Sequence, residues 1–224
     1  MSLQRAHRRA LVAGGTGRVG RAIASGLEAA GWRVTVAGRT AGDISTRAGA
    51  HALVGAAVDE VGGLELVVQA AGDGFVPKPV AEVTEEDWEA AFGVTARGTF
   101  FLAQAAAPHL AGGTFVVVED VAAYQPWPSF AAHCAAKAAQ AMLTRVLARA
   151  LAPDVRVCGV APGPVAVEPG QEDRRARETL LGRIGSADDV AHAVVYLADA
   201  PHVTGTSLVV DGGRLLKTGI RPRP

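Results

Sequence analysis

Gly14-Gly15-Thr16-Gly17-Arg18-Val19-Gly20 follows an apolar run at residues 10–13 and opens a stretch with helical apolar spacing. In that strand–turn–helix context, residues 15, 17 and 20 fit G-x-G-x-x-G. Glycines there permit a tight turn, let the backbone approach a pyrophosphate, and allow close packing of helix on sheet. The helix start adds unpaired N–H groups and a positive dipole end, both suited to phosphate. Gly14, Thr16, Arg18 and Val19 complete the cradle. The stretch therefore predicts a dinucleotide site at the first crossover; a turn that is glycine-rich only for packing is the alternative.

Working outward, short β-rich runs alternate with helical segments. Strands are predicted at residues 9–13, 33–37, 66–70, 114–119, 155–160 and 207–210, and helices at 19–30, 45–61, 84–110, 129–151 and 186–198. Consecutive apolar residues such as Phe115-Val116-Val117-Val118 suit strands buried on both faces. Thr84 before Asp87, and Ser186 before Asp188-Asp189, place a hydroxyl cap and acids at helix starts. The alternation predicts an α/β fold: one doubly wound parallel sheet with helices on both faces, a single domain spanning residues 1–224 with a frayed tail at 219–224.

Composition narrows the partners. The 224 residues carry 22 Lys+Arg against 22 Asp+Glu, so a formally neutral chain has no bulk attraction for nucleic acid or an anionic membrane. Two cysteines, Cys134 and Cys158, argue against a disulfide scaffold and cannot build a cysteine-rich zinc site. The histidines at 7, 51, 109, 192 and 202 show no metal-ligand spacing, so no metal is expected. No run of 18 apolar residues occurs, which excludes a spanning helix. The basic start around Arg8-Arg9 is followed by too short an apolar stretch for an export signal, leaving a cytoplasmic location as the expectation.

The end of the second strand should choose the cofactor. An acid there would bind ribose hydroxyls, a base a 2′-phosphate. The sequence reads Val36-Ala37-Gly38-Arg39-Thr40, so Arg39, with Arg18 from the turn, points to NADP(H). Two solvated surface arginines are the alternative.

At this point the sequence resembles the short-chain dehydrogenase/reductase family. The likeness is carried by the glycine turn, Gly98-Thr99-Phe100, the stretch Phe130-Ala131-Ala132-His133-Cys134-Ala135-Ala136-Lys137-Ala138, Pro162-Gly163, Asp188-Asp189-Val190-Ala191, Val203-Thr204-Gly205 and Val209-Val210-Asp211-Gly212-Gly213. The resemblance implies a Rossmann-like sheet, a nicotinamide cofactor, a small-molecule substrate, and a homodimer or homotetramer. It also implies cofactor contacts from Ala70, Ala71 and Gly72, where the family has Asn-Ala-Gly, and from Lys137, Pro162 and Gly163. Only Ala41-Gly42 separates Thr40 from Asp43-Ile44-Ser45, which looks like the family segment whose Asp touches adenine. The sheet is accordingly expected to be trimmed beyond the second strand.

Members of that family reduce carbonyls with Asn, Ser, Tyr and Lys. The matching positions here are Thr95, Asp120, His133 and Lys137, so only the lysine is kept. Asp in place of Ser, together with Arg18, is similar to the pteridine reductase branch, which nevertheless keeps the Tyr. Histidine has the intrinsic pKa of a proton donor, and Asp120 would orient it. Lys137 lies at i+4 from His133, one turn away. Strand alternation is expected to send Glu119 away from the site, and Tyr124 is a substitute donor. The charged run 171–178 reads as a solvated helix in the place of the family's substrate lid. Two functions stand open: an NADPH-dependent reductase of a small carbonyl or C=N compound, and a non-catalytic cofactor-binding relative acting as an interaction module.

Overall fold

In a computed structural model, residues 8–72, 76–165, 167 and 169–217 are described. The segment read as a frayed tail lies outside them, as does His7. Six strands form one wholly parallel sheet in the order β2-β1-β3-β4-β5-β6. They are β1 (Arg8–Ala13), β2 (Trp32–Ala37), β3 (Leu66–Gln69), β4 (Thr114–Val118), β5 (Arg156–Pro162) and β6 (Ser207–Val210). The helices are α1 (Arg18–Ala29), α2 (Arg47–Val61), α3 (Glu85–Phe92), α4 (Gly98–Ala106), α5 (Ala131–Leu151), α6 (Glu172–Ala176) and α7 (Ala187–Asp199).

Side-chain alternation divides each strand between two cores. Leu11, Val67, Phe115 and Val157 face one core with Leu53 of α2, Leu102 of α4 and Leu147 of α5. Val12, Val68, Val116 and Cys158 face the other with Ile23 and Leu27 of α1 and Val194 and Leu197 of α7. Continuous apolar runs are what a sheet covered on both faces requires. The sheet ends at β2, as the short 38–46 connection to α2 led us to expect.

The helix expected over 84–110 is interrupted. Residues Gly93–Arg97 form a π-turn between α3 and α4, and α4 gives way to a 3-10 turn, Ala107–His109, that contains Pro108. The wide turn is stabilised by inserted side-chain donors: Gln69 Nε2 donates to Val94 O at 3.1 Å, and Gln140 Nε2 to Thr95 O at 3.4 Å. Glycine at 98 keeps this bend close to Ile44, since a Cβ there would stand 3.1 Å from its side chain. Such π-turns recur at functional sites.

Helix α7 opens on a reciprocal cap: Ser186 Oγ accepts from Asp189 N, and Asp189 accepts from Ser186 N at 2.8 Å. Arg183, at 3.0 Å, and the Ser186 backbone hold the Asp189 carboxyl down at about 2. A depressed folded-state pKa contributes stability above the unfolded carboxylate value, lost as pH falls toward 2. Asp189→Asn should therefore lower Tm at pH 7, with the gap closing from about pH 4 downward. A gap of constant size between pH 7 and pH 2 would contradict this.

Candidate active site

The carboxyl ends of β1, β2 and β3 border a cleft of about 220 Å³. Gly14 adopts φ +84°, and a Cβ there would lie 2.3 Å from Ala71 N, so only glycine fits this turn. Gly14 N donates to Ala37 O at 2.8 Å, and Gly17 N to Gly14 O at 3.1 Å. A Cβ on Gly20 would stand 2.2 Å from Gly14 O, which brings the first turn of α1 against the loop. Gly17 is different: its Cβ would meet only Gly14 O at 3.5 Å, and it faces the cleft. The motif read at 15, 17 and 20 thus gains Gly14 as its conformationally constrained member. Gly15 is limited mainly by the Val36 side chain, 2.6 Å from an added Cβ.

Gly17 is also the N-cap of α1 and offers no side-chain acceptor to the first-turn N–H groups. That leaves them directed at the space a phosphate would take. Thr16, Arg39 and Asp43 share the rim, with Ala70, Ala71 and Gly72 opposite. Arg39 is exposed on a 3-10 turn directly after β2. Arg18 is exposed as the first residue of α1 and Val19 half-buried behind it; neither lines this cleft. Asp43 accepts from Ser45 N at 2.9 Å; this bonding to Ser45, with Arg39 and Arg97 nearby, holds its carboxyl below the usual range.

Beyond β4, the chain brings His133 and Asp120 together. Asp120 is extended and caps a 3-10 turn, Val121–Ala123, with Oδ1 accepting from Ala122 N at 2.7 Å. Its Oδ2 lies 3.4 Å from His133 Nε2, in the first turn of α5. The Trp127 ring lies parallel to the imidazole, 15° between planes and 6.4 Å between centroids. A second cavity of about 140 Å³ reaches His133 from the side of α3, lined also by Thr95, Ser129, Lys78 and Asp87.

Lys137 turns inward. Its ammonium donates to Val118 O at 3.1 Å, Glu119 O at 3.4 Å and Gln140 Oε1 at 2.9 Å. Burial pushes its pKa down, while the Asp120 and Glu119 carboxylates pull it up. Gln140 Nε2 passes the network on to Thr99 Oγ1 at 2.9 Å, and Thr95 O accepts from Thr99 Oγ1 at 2.6 Å. Pro162 is buried at the end of β5; Gly163 N donates to Val210 O, and a Cβ on Gly163 would come 2.7 Å from Asp211 Cα. This pair packs against β6.

Two expectations are corrected. Glu119 does not leave the α5 side: Val117 faces the core containing α5, so alternation returns Glu119 to that face. Glu119 is 2% exposed, accepting from Thr144 Oγ1 at 2.7 Å and from the Tyr124 hydroxyl at 3.1 Å. It is Asp120 that leaves the sheet plane, because β4 has already ended. Tyr124 is consequently committed to Glu119, to which its hydroxyl donates. Gln140 and Thr144 escaped the sequence reading, although His133, Lys137, Gln140 and Thr144 form a polar stripe at helical spacing along an Ala-rich helix.

Among the described residues no group of three or more His, Cys, Asp or Glu is placed to hold a metal, and no helix is long and apolar enough to cross a membrane. Residues 18–214 match the family model described as Enoyl-(Acyl carrier protein) reductase. The chain is 35% identical to the 4-formylbenzenesulfonate dehydrogenase TsaC1/TsaC2 of Comamonas testosteroni, over 92% of this chain and 96% of that protein. It superposes on a 3-ketoacyl-(acyl-carrier-protein) reductase from Brucella melitensis complexed with NADH, with TM-score 0.87, 26% identity and coverage of 93% and 98%. A small-chain dehydrogenase in complex with NADPH is similar, with TM-score 0.86, 26% identity and coverage of 95% and 100%.

Proposed function

Because the chain belongs to the short-chain dehydrogenase/reductase family of oxidoreductases, we propose that it is an NADPH-dependent reductase of a small carbonyl or C=N compound with His133 in place of the family tyrosine. The observation that carries this reading is the 3.4 Å approach of His133 Nε2 to Asp120 Oδ2. Gly14, Gly15, Thr16, Gly17 and Gly20 would hold the pyrophosphate, Arg39 the 2′-phosphate, and Asp43 and Ala70–Gly72 the adenosine side. A bound nicotinamide supplies the hydride. The negative charge that hydride addition would build on the substrate heteroatom would be quenched by a proton from Nδ1 of His133, the ring nitrogen not directed at Asp120 Oδ2. Asp120 Oδ2 orients the imidazole and balances its charge. Asp120 would also suit a substrate amine or ring N–H, as an acceptor. Lys137 keeps β4 and α5 in register through its carbonyl bonds and supports the nicotinamide ribose.

A location in the cytoplasm and a homotetramer or homodimer belong to the same proposal. Exposed Tyr196, Leu208 and Val209 on α7 and β6 supply apolar surface for self-association. One observation favours the non-catalytic reading: all three Lys137 donors are engaged by protein acceptors.

Calorimetry against both nucleotides, followed by NADPH oxidation with a panel of aldehydes, ketones, quinones and pterins, tests the proposal. NADPH should bind more tightly than NADH, and Arg39→Glu should weaken NADPH by about 10- to 100-fold while sparing NADH, as expected for losing a charge-assisted phosphate contact. Tighter NADH binding by the wild type would defeat the cofactor assignment. Confirmed binding without oxidation across the whole panel would favour the interaction module.

A further inference from the structure

We propose that Arg214 is a positioning residue for His133, holding Trp127 against the imidazole; this rests on the reading of His133 as proton donor. Arg214 Cζ lies over the Trp127 ring, 4.9 Å from its centroid, while the same ring runs parallel to His133. Phe130 meets Trp127 edge-on at 6.0 Å, and Trp127 Nε1 donates to Gln125 Oε1 at 3.5 Å. The indole is thereby confined from several sides. A guanidinium over an indole face is attracted by the ring quadrupole, more strongly when both are shielded from water. The Arg214 side chain is only 14% exposed.

The arginine is itself anchored. Its Nη2 lies 3.1 Å from Glu178 Oε2, and Glu178 is also bonded by Arg175 Nη1 at 3.1 Å. Asp211, from the closing Val-Val-Asp-Gly-Gly motif, accepts from Gly213 N at 2.7 Å and Leu215 N at 2.8 Å, folding the turn that carries Arg214. Gly212 and Gly213 take φ +63° and +80°, and Gly212 O accepts from Leu180 N at 2.8 Å. The motif thus has a use beyond ending β6: it delivers a cation onto the ring beside the candidate donor. With Arg214 removed, Trp127 loses that confinement, and His133 loses a fixed neighbour. Displacement of a reacting group by about 1 Å can cost about 100-fold in rate.

The test compares Arg214→Ala, Arg214→Lys and Trp127→Leu in the full chain. Arg214→Ala should lower kcat about 10-fold, a partial form of that misplacement cost, with the calorimetric Kd for NADPH unchanged within about twofold. Arg214→Lys should recover most of kcat, because an ammonium also sits favourably over the ring. In the Trp127→Leu background, Arg214→Ala should cost little more, since the arginine acts through the indole. Independently of turnover, fluorine-19 NMR of fluorotryptophan-labelled protein should show the Trp127 line, assigned by Trp127→Phe, moving in Arg214→Ala and returning in Arg214→Lys. Unchanged kcat with an unmoved resonance would overturn this proposal alone, as would equal losses with and without Trp127. A moved resonance in an enzyme indifferent to His133 would instead condemn the donor assignment. Should Arg214→Ala not fold, Arg214→Gln, which keeps a side chain there without the charge, and Glu178→Gln carry the same comparison: an unmoved Trp127 line and unchanged kcat in both overturn the proposal.

Discussion

Replacing Gly17 with valine will cut NADPH affinity by roughly 100-fold or more, as expected when two or more backbone bonds to a charged phosphate are lost, while leaving the fold in place. Gly17 has an extended backbone, φ −74° and ψ 168°, which valine adopts readily. An added Cβ meets nothing closer than Gly14 O at 3.5 Å, so the side chain is accommodated by extending into the cleft. There it keeps phosphate away from the N–H groups of α1. Gly20→Val separates the two roles of the motif. Its Cβ would stand 2.2 Å from Gly14 O, and relieving that contact moves α1 off the turn. Overpacking of this kind costs about 1–3 kcal/mol, enough to lower Tm by several degrees. Calorimetry and thermal melts read the two effects apart. Full NADPH affinity in Gly17→Val would remove the cradle from its assigned place.

His133→Ala is expected to lower kcat by about 100- to 10,000-fold, the range for losing a positioned general acid. NADPH should bind as before, because His133 does not line the cleft at the ends of β1, β2 and β3. Asp120→Asn should give a smaller loss, about 10-fold, since an amide still holds the ring but balances no charge. Single-turnover kinetics with saturating NADPH would place the defect in the chemical step. Wild-type turnover by His133→Ala, with any substrate the protein accepts, would end the donor assignment. Family membership and the cofactor reading would survive that result, because they rest on the sheet and the glycine turn.

The elements most legible in sequence were those with local causes. Buried strands carry apolar runs such as 115–118, and helix starts carry Thr84 and Ser186 with acids three residues on; their positions need no distant partner. The π-turn was not legible, because donors from Gln69 and Gln140 stabilise it from elsewhere in the chain. Glu119 was misplaced by extending strand alternation one residue too far and anchoring it on Asp120 instead of Val117. Arg214 and Trp127 were passed over because an arginine after Gly-Gly and a tryptophan between prolines have no shared local pattern.

Residue order by itself determined the parallel sheet, its trimmed edge and the glycine turn, since periodicity and glycine placement act over a few bonds along the chain. The contacts around the imidazole were decided only when β4, α5 and the turn after β6 came together. Asp120, Trp127 and Arg214 reach His133 or its neighbour through space, and such distances depend on how elements pack, which no local rule encodes.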